Sequence, residues 1–132
     1  MSSDAITAIP APYTRRDIVK WWEARRLRFN LWVGSVGVAT WLTVLIVGSL
    51  AVKPGVDFEE PIMMMIGPII YGVMVNVSFS FGWIVDTAVY RGRPRATLHK
   101  AGLIFSVVLT ALPGIWAIVA WCITLYTGKK LD

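Results

Sequence analysis

Residues 61–85 read PIMMMIGPIIYGVMVNVSFSFGWIV, a run of 25 residues without a charged side chain. A helix of about 20 apolar residues is long enough to cross the hydrocarbon core of a bilayer, which is about 30 Å thick. Two more uncharged runs flank it, residues 29–52 before it and residues 101–128 after it. Because lipid offers no partner for backbone N–H and C=O groups, each run must be a helix. The sequence therefore predicts an all-α membrane protein with three transmembrane helices.

The overall composition agrees with this prediction. Of the 132 residues, 56% are hydrophobic and 16% are charged, and the mean hydropathy is +0.62. Soluble domains are about 45–50% apolar and about 25% charged. The apolar content excludes a disordered chain, and a single cysteine excludes a disulfide scaffold. The first run is about twice as long as the apolar core of a signal peptide, so we expect it to be retained as a helix.

An amphipathic segment precedes the first run. Thr14 is suited to cap a helix, and Asp17 lies three residues later, where the helix dipole favours a negative charge. We therefore expect an interfacial helix on the membrane surface, from which the chain turns into the first span. The predicted segments are a mobile cytoplasmic N-terminus (1–13), an amphipathic interfacial helix (14–28), transmembrane helices (29–52, 61–90 and 100–127), a short outer loop (53–60), a basic cytoplasmic loop (91–99) and an outer tail (128–132).

The basic residues predict the orientation. Ten of the 13 Lys and Arg residues precede the first span or lie between the second and third spans. Short segments rich in Lys and Arg stay cytoplasmic, so the N-terminus is expected inside and the C-terminus outside. We expect anionic lipid headgroups, and not nucleic acid, to bind the basic loop, in particular its three arginines, Arg91, Arg93 and Arg95. Residues 21–30, WWEARRLRFN, resemble entries into the first helices of small bacterial membrane proteins, so the expected location is the inner membrane of a bacterium.

Tryptophan and arginine side chains cluster before the first span. Tryptophan prefers the headgroup region, where its ring is buried and its N–H stays wet. The cluster is interpreted either as an anchor in the interface or as a docking surface for a protein partner. Its members are Trp21, Trp22, Arg25, Arg26 and Arg28.

Small and polar residues recur in the second span. Gly72, Asn76 and Ser80 share one helix face, and Ser78 and Gly82 form a second pair four residues apart. Small residues let membrane helices approach closely, and amides or hydroxyls can bond between them. The pattern predicts a packing seam or, alternatively, a polar path. The expected partner of the seam is a patch of small residues in the first span that includes Gly34 and Ser35.

Asp86 is the one acidic residue within an otherwise apolar helix, close to its cytoplasmic boundary. Acidic residues within membrane helices pair with basic groups or mark ion and proton pathways. We expect a structural ion pair between Asp86 and Arg25, Arg26 or Arg28. The alternatives are contact with the lipid headgroups, a pair with Arg91 or Arg93, and a proton- or ion-coupling role.

The sequence shows no motif for catalysis, metal binding or phosphate binding. It has no glycine-rich phosphate loop, and its only histidine, His99, lies in the basic loop. We therefore expect a protein without a catalytic site, cofactor or metal, which acts by helix–helix contacts. It would be an accessory or assembly subunit of a membrane complex, or a protein that self-assembles into a homo-oligomer. The alternatives are a membrane sensor or effector, and a homo-oligomeric channel or small transporter lined by Gly72, Asn76 and Ser80, with Asp86 at the inner mouth of the path.

Overall fold

A computed structural model describes residues 12–89 and 92–131 of the chain. Helices take up 82% of these residues, and three helical stretches are long and apolar enough to span a membrane. The predicted all-α membrane protein with three spanning helices is therefore confirmed. Most of the predicted mobile N-terminus, together with Tyr90, Arg91 and Asp132, lies outside the described residues.

The first spanning stretch begins at a capped helix. It consists of α1 (Arg15–Thr43), a π-helical turn (Val44–Gly48) and α2 (Ser49–Ala51). The Thr14 hydroxyl accepts a hydrogen bond from the Asp17 N–H at 3.2 Å, and the Asp17 carboxylate accepts one from the Thr14 N–H at 3.0 Å. This reciprocal pair is a capping box, so the predicted start of the helix is confirmed.

The structure differs from the prediction in how the N-terminal segment joins the first span. Residues 14–28 were expected to form an interfacial helix that ends in a turn, but they continue into the span within α1. Residues 15–33 contain neither glycine nor proline, so no residue there favours a break. Ile18, Trp22 and Phe29 of this stretch are also buried against the other helices, which keeps the segment aligned with the bundle.

The other two spans are α3 (Pro61–Ala88) and α4 (Ala96–Thr127). α3 begins at Pro61 as predicted and ends two residues before the predicted boundary. α4 begins four residues before the predicted start, because Pro94 closes the preceding loop and leaves Arg95 as the N-cap. It ends at Thr127 as predicted, where Gly128 takes a left-handed conformation (φ 66°) that few other residues tolerate.

A hydrophobic core lies where α1, α3 and α4 converge. It is at the end of the bundle that carries the arginines of α1 and of the loop before α4. We call this end of the bundle the basic end. Ile18, Trp22, Phe29 and Val33 of α1 lie along one helix face and contact Val75 and Phe79 of α3. Half-buried side chains of α4 complete the core: Leu98, Leu103 and Val107.

α1 and α4 pack together through small residues. The buried positions of α4 recur every three or four residues, and most are small: Ser106, Thr110, Gly114, Ala117, Ala120 and Thr124. At Gly114 an added Cβ atom would lie 3.3 Å from the Cα atom of Thr40. The closest helix packing is therefore in α4, whereas the sequence analysis placed the seam of small residues in α3.

α3 packs closely only through its second half, where its buried residues Val75, Phe79 and Asp86 lie. Its first half borders a cleft of about 970 Å³ that lies between α1 and α3, with Thr110 and Pro113 of α4 also lining it. Gly34 of α1 faces this cleft and Ser35 is exposed, so neither packs against the polar residues of α3 as expected. The reason is that α3 does not approach α1 closely at this level.

The end of the bundle opposite the basic end is closed by the chain after α4. The Leu131 N–H donates to the carbonyl oxygen of Ala51 at 2.9 Å, and the Lys53 N–H donates to the carbonyl oxygen of Leu131 at 3.1 Å. The Thr124 hydroxyl also donates to Ala51 at 3.2 Å. These bonds join the end of the first spanning stretch to the end of α4.

We expect Gly114→Leu to lower the thermal unfolding midpoint in mild detergent, because the added side chain meets the backbone of α1 at Thr40. Overpacking of this kind costs about 1–3 kcal/mol. Gly102→Leu is the matched control, since an added Cβ atom at Gly102 of α4 meets no atom within 4 Å. Equal midpoints for the two variants would contradict the proposed close packing of α1 on α4.

Candidate functional site at the basic end

Asp86 is the centre of a polar site where the three long helices meet. Its side chain is 2% exposed and lies on the last turns of α3. Oδ2 accepts hydrogen bonds from Nε1 of Trp22 and from the N–H of Arg95, each at 2.9 Å. Oδ1 accepts a hydrogen bond from Nε of Arg95 at 2.8 Å. The carboxylate therefore joins α3 to α1 through Trp22 and to the N-terminus of α4 through Arg95, where the helix dipole also favours a negative charge.

The indole of Trp22 reaches Asp86 by passing over Gly82. An added Cβ atom at Gly82 would lie 2.9 Å from two atoms of the Trp22 ring, so a larger residue would displace the ring. The indole also meets Phe79 edge-on, with 5.4 Å between ring centroids. Gly82, predicted as a helix-packing residue, thus contacts Trp22 of α1.

The predicted ion-pair partners of Asp86 were wrong. Arg25, Arg26 or Arg28 was the expected partner, whereas the described partner is Arg95. Arg95 holds the N-cap position of α4 and so brings both its N–H and its guanidinium to the carboxylate. Arg25 instead lies over the Trp21 ring at 3.7 Å and donates to the Trp21 carbonyl.

A second polar cluster lies on the face shared by α1 and α3. Arg26 makes two 2.7 Å bonds to Glu23 and donates to Oδ1 of Asn76 at 3.3 Å and to Oγ of Ser80 at 3.0 Å. The amides of Asn30 and Asn76 exchange hydrogen bonds at 3.0 and 3.1 Å. Two of the predicted seam residues, Asn76 and Ser80, therefore bond to side chains of α1.

Most of the remaining predicted site residues lie apart from these two clusters. Ser78 is exposed and donates to the Met74 carbonyl of its own helix. Gly72 lines the cleft and accepts a hydrogen bond from Asn76. Arg28 and Arg93 are exposed. Arg91 lies outside the described residues.

His99 was not singled out as a site residue, but its ring lies among three aromatic side chains. Its centroid is 5.7 Å from Trp21, 5.2 Å from Trp22 and 6.0 Å from Phe79, in edge-on geometry each time. Because α4 begins at Ala96, His99 is one helical turn after Arg95 and faces the core. The sequence offered a usable signal, since Arg95, His99 and Leu103 recur at a spacing of four residues.

Three buried nitrogen atoms near this end lack a hydrogen-bond partner among the described residues. They are Nε1 of Trp83, Nη2 of Arg95 and Nε2 of His99. Within residues 12–89 and 92–131, no three His, Cys, Asp or Glu side chains are close enough to hold a metal ion together.

No protein-family model, no curated protein and no solved structure matches this chain. The fold alone therefore defines its class, a helical membrane protein with three helices long and apolar enough to span the bilayer.

We expect Asp86→Leu to lower the thermal unfolding midpoint strongly, because it leaves the Arg95 guanidinium and the Trp22 N–H without their acceptor. Removal of one partner from a buried ion pair costs about 3–5 kcal/mol. The double variant Asp86→Leu/Arg95→Leu should be more stable than Asp86→Leu, since no unpaired charge remains. Asp57→Asn, which changes an exposed acid, serves as the control. A double variant less stable than Asp86→Leu would contradict the pairing.

Proposed function

We propose that this protein has no catalytic centre and acts through helix–helix contacts within the bilayer. It would be an accessory or assembly subunit of a membrane complex, or would self-assemble. The observation that carries the proposal is the exposure of α3, since only 11% of its most apolar stretch is buried within the chain. A membrane helix with so little intramolecular packing has most of its surface free for other helices or lipids.

The first half of α3 is the proposed contact surface. Large apolar side chains there are more than half exposed: Ile62, Met63, Met65 and Ile69. Methionine side chains are flexible and polarizable, so they adapt to the surface of a partner. Ile62, Met65 and Ile69 also share one face of α3, because they are spaced by three and four residues.

The polar side chains of α3 support this function over a channel. A path along α3 would need Asn76 and Ser80 to face a pore, but both bond to Arg26, and Asn76 also bonds to Asn30. Asp86, the proposed inner mouth of that path, is buried between Trp22 and Arg95. These bonds hold the helices of one chain together and leave the apolar face of α3 as the surface for a partner.

The proposed location is the inner membrane of a bacterium, with the basic end in the cytoplasm. Exposed basic side chains at this end, among them Lys20, Arg28, Arg93 and Lys100, are available to anionic headgroups. The proposed orientation rests on the bias of Lys and Arg toward this end.

Disulfide crosslinking in intact membranes tests the contact surface. In a Cys122→Ser background, we expect Met65→Cys to form an adduct under mild oxidation, because its side chain is 76% exposed on the proposed surface. Met64→Cys is the matched control, since Met64 is half-buried and its carbonyl accepts a hydrogen bond from Trp41.

The mass of the adduct identifies the partner. An increase of 14.7 kDa indicates a second copy of the chain, and any other mass indicates a different subunit. If neither variant forms an adduct and the protein is a single chain in mild detergent, the proposed function is wrong.

A further inference from the structure

The cleft between α1 and α3 has the dimensions of a lipid site. Its volume of about 970 Å³ lies at the upper end of the range for ligand pockets, about 300–1,000 Å³. On α1 its lining extends from Asn30 to Val44, which is about 21 Å at 1.5 Å per residue. This length exceeds the roughly 15 Å of one leaflet of a 30 Å hydrocarbon core, so an extended apolar chain fits along it.

Glycines widen the cleft on both walls. An added Cβ atom at Gly34 of α1, or at Gly67 or Gly72 of α3, meets no atom within 4 Å. On the α4 side, a hydrogen bond of 2.8 Å between the Tyr71 and Thr110 hydroxyls satisfies both groups. The middle of the cleft therefore presents apolar surface and open space to the bilayer.

The charge around the cleft distinguishes among possible occupants. Glu59 lines the cleft at the end opposite the basic end, and the described lining contains no Lys or Arg. Asp57 and Glu60 lie in the same loop, which makes it net acidic despite Lys53. A carboxylate attracts a headgroup ammonium and repels a headgroup with net negative charge. Insertion of α3 of a second copy into the cleft itself would place the Glu59 and Glu60 of that copy against Glu59 at this rim, and the like charges would oppose this occupant.

We propose that this cleft binds one acyl chain of a lipid whose headgroup carries an amine, with the amine at Glu59. The inference goes beyond the proposed function, which uses the exposed face of α3 and does not require a bound lipid. Met63 and Met65 belong to both surfaces because they also line the cleft, whereas Ile62 and Ile69 of the exposed face lie outside it. Phosphatidylethanolamine fits this description, and phosphatidylglycerol, which has no amine and is anionic, does not.

Native mass spectrometry tests the site. The protein is reconstituted into vesicles with equal amounts of phosphatidylethanolamine and phosphatidylglycerol, extracted in mild detergent and examined for retained lipid. We expect one molecule of phosphatidylethanolamine to be retained, with about fivefold preference over phosphatidylglycerol. This is the preference expected from one solvent-accessible ion pair. Glu59→Gln should abolish the preference, whereas Asp57→Asn, which changes an acid of the same loop outside the cleft lining, should keep it.

Filling the cleft should remove the lipid. We expect Gly34→Leu and Gly72→Leu to retain at least several times less phosphatidylethanolamine than the wild type, and Gly102→Leu, on the exposed side of α4, to retain as much. Equal retention of the two lipids by the wild type, or full retention by Gly34→Leu, would overturn the proposal. A third outcome would also overturn it: the wild type retains no lipid, and Gly34→Leu abolishes the adduct formed by Met65→Cys. In that case a helix of the partner, and not a lipid, occupies the cleft.

Tryptophan fluorescence provides a second test, which does not depend on the glycine variants. Phosphatidylethanolamine with brominated chains should quench Trp41, which lines the cleft. The quenched fraction should therefore fall in Trp41→Phe, and brominated phosphatidylglycerol should quench less at equal concentration. Equal quenching by the two lipids would contradict the site, whereas the proposed function would fail only if neither cysteine variant formed an adduct and the protein was a single chain in mild detergent.

Discussion

The geometry of the basic end depends on the hydrogen bonds and the ion pair that the Asp86 carboxylate makes. Helices within a bilayer gain no hydrophobic energy from contact with one another, because lipid is as apolar as their side chains. Their arrangement rests instead on close packing and on polar groups that need partners. Asp86 meets this need with donors from α1 and α4, and each donor fixes a neighbour: Trp22 requires the space over Gly82, and Arg95 sets where α4 begins.

The two ends of the bundle differ because only one contains such a centre. At the basic end, Asp86, Arg26 and the Asn30–Asn76 pair bind α3 to its neighbours. Toward the opposite end α3 keeps few contacts, chiefly the hydrogen bond from Trp41 to the Met64 carbonyl and the hydrogen bonds of the Tyr71 hydroxyl to α4. α1 and α4 stay together along their length through the small residues of α4 and the pairing of Leu131 with Ala51. The exposed face and the cleft both result from this asymmetry, and both proposals depend on it.

The sequence predicted the features that depend on local chemistry. Uncharged runs marked the three spans, and Thr14 with Asp17 marked the start of α1. The prediction from sequence failed where several residues could bind the same partner. Several arginines could pair with Asp86, and Arg95 does so because α4 begins directly after it. The close packing of α4 through its small residues was not predicted. Their spacing, from Ser106 to Thr124, was the signal that could have revealed the closest packing.

The short separation between Asp86 and Arg95 has a consequence for how the chain enters the bilayer. Asp86 and Arg95 are nine positions apart in the sequence, so closing the loop between them costs little entropy. The pair can form while α3 and α4 are still a hairpin, before either helix meets α1. A hairpin in which this pair is formed would enter the membrane with its acid already neutralised, which avoids the cost of an isolated charge. Trp22 of α1 adds a third hydrogen bond to the same carboxylate, so Asp86 joins the hairpin to the first spanning stretch.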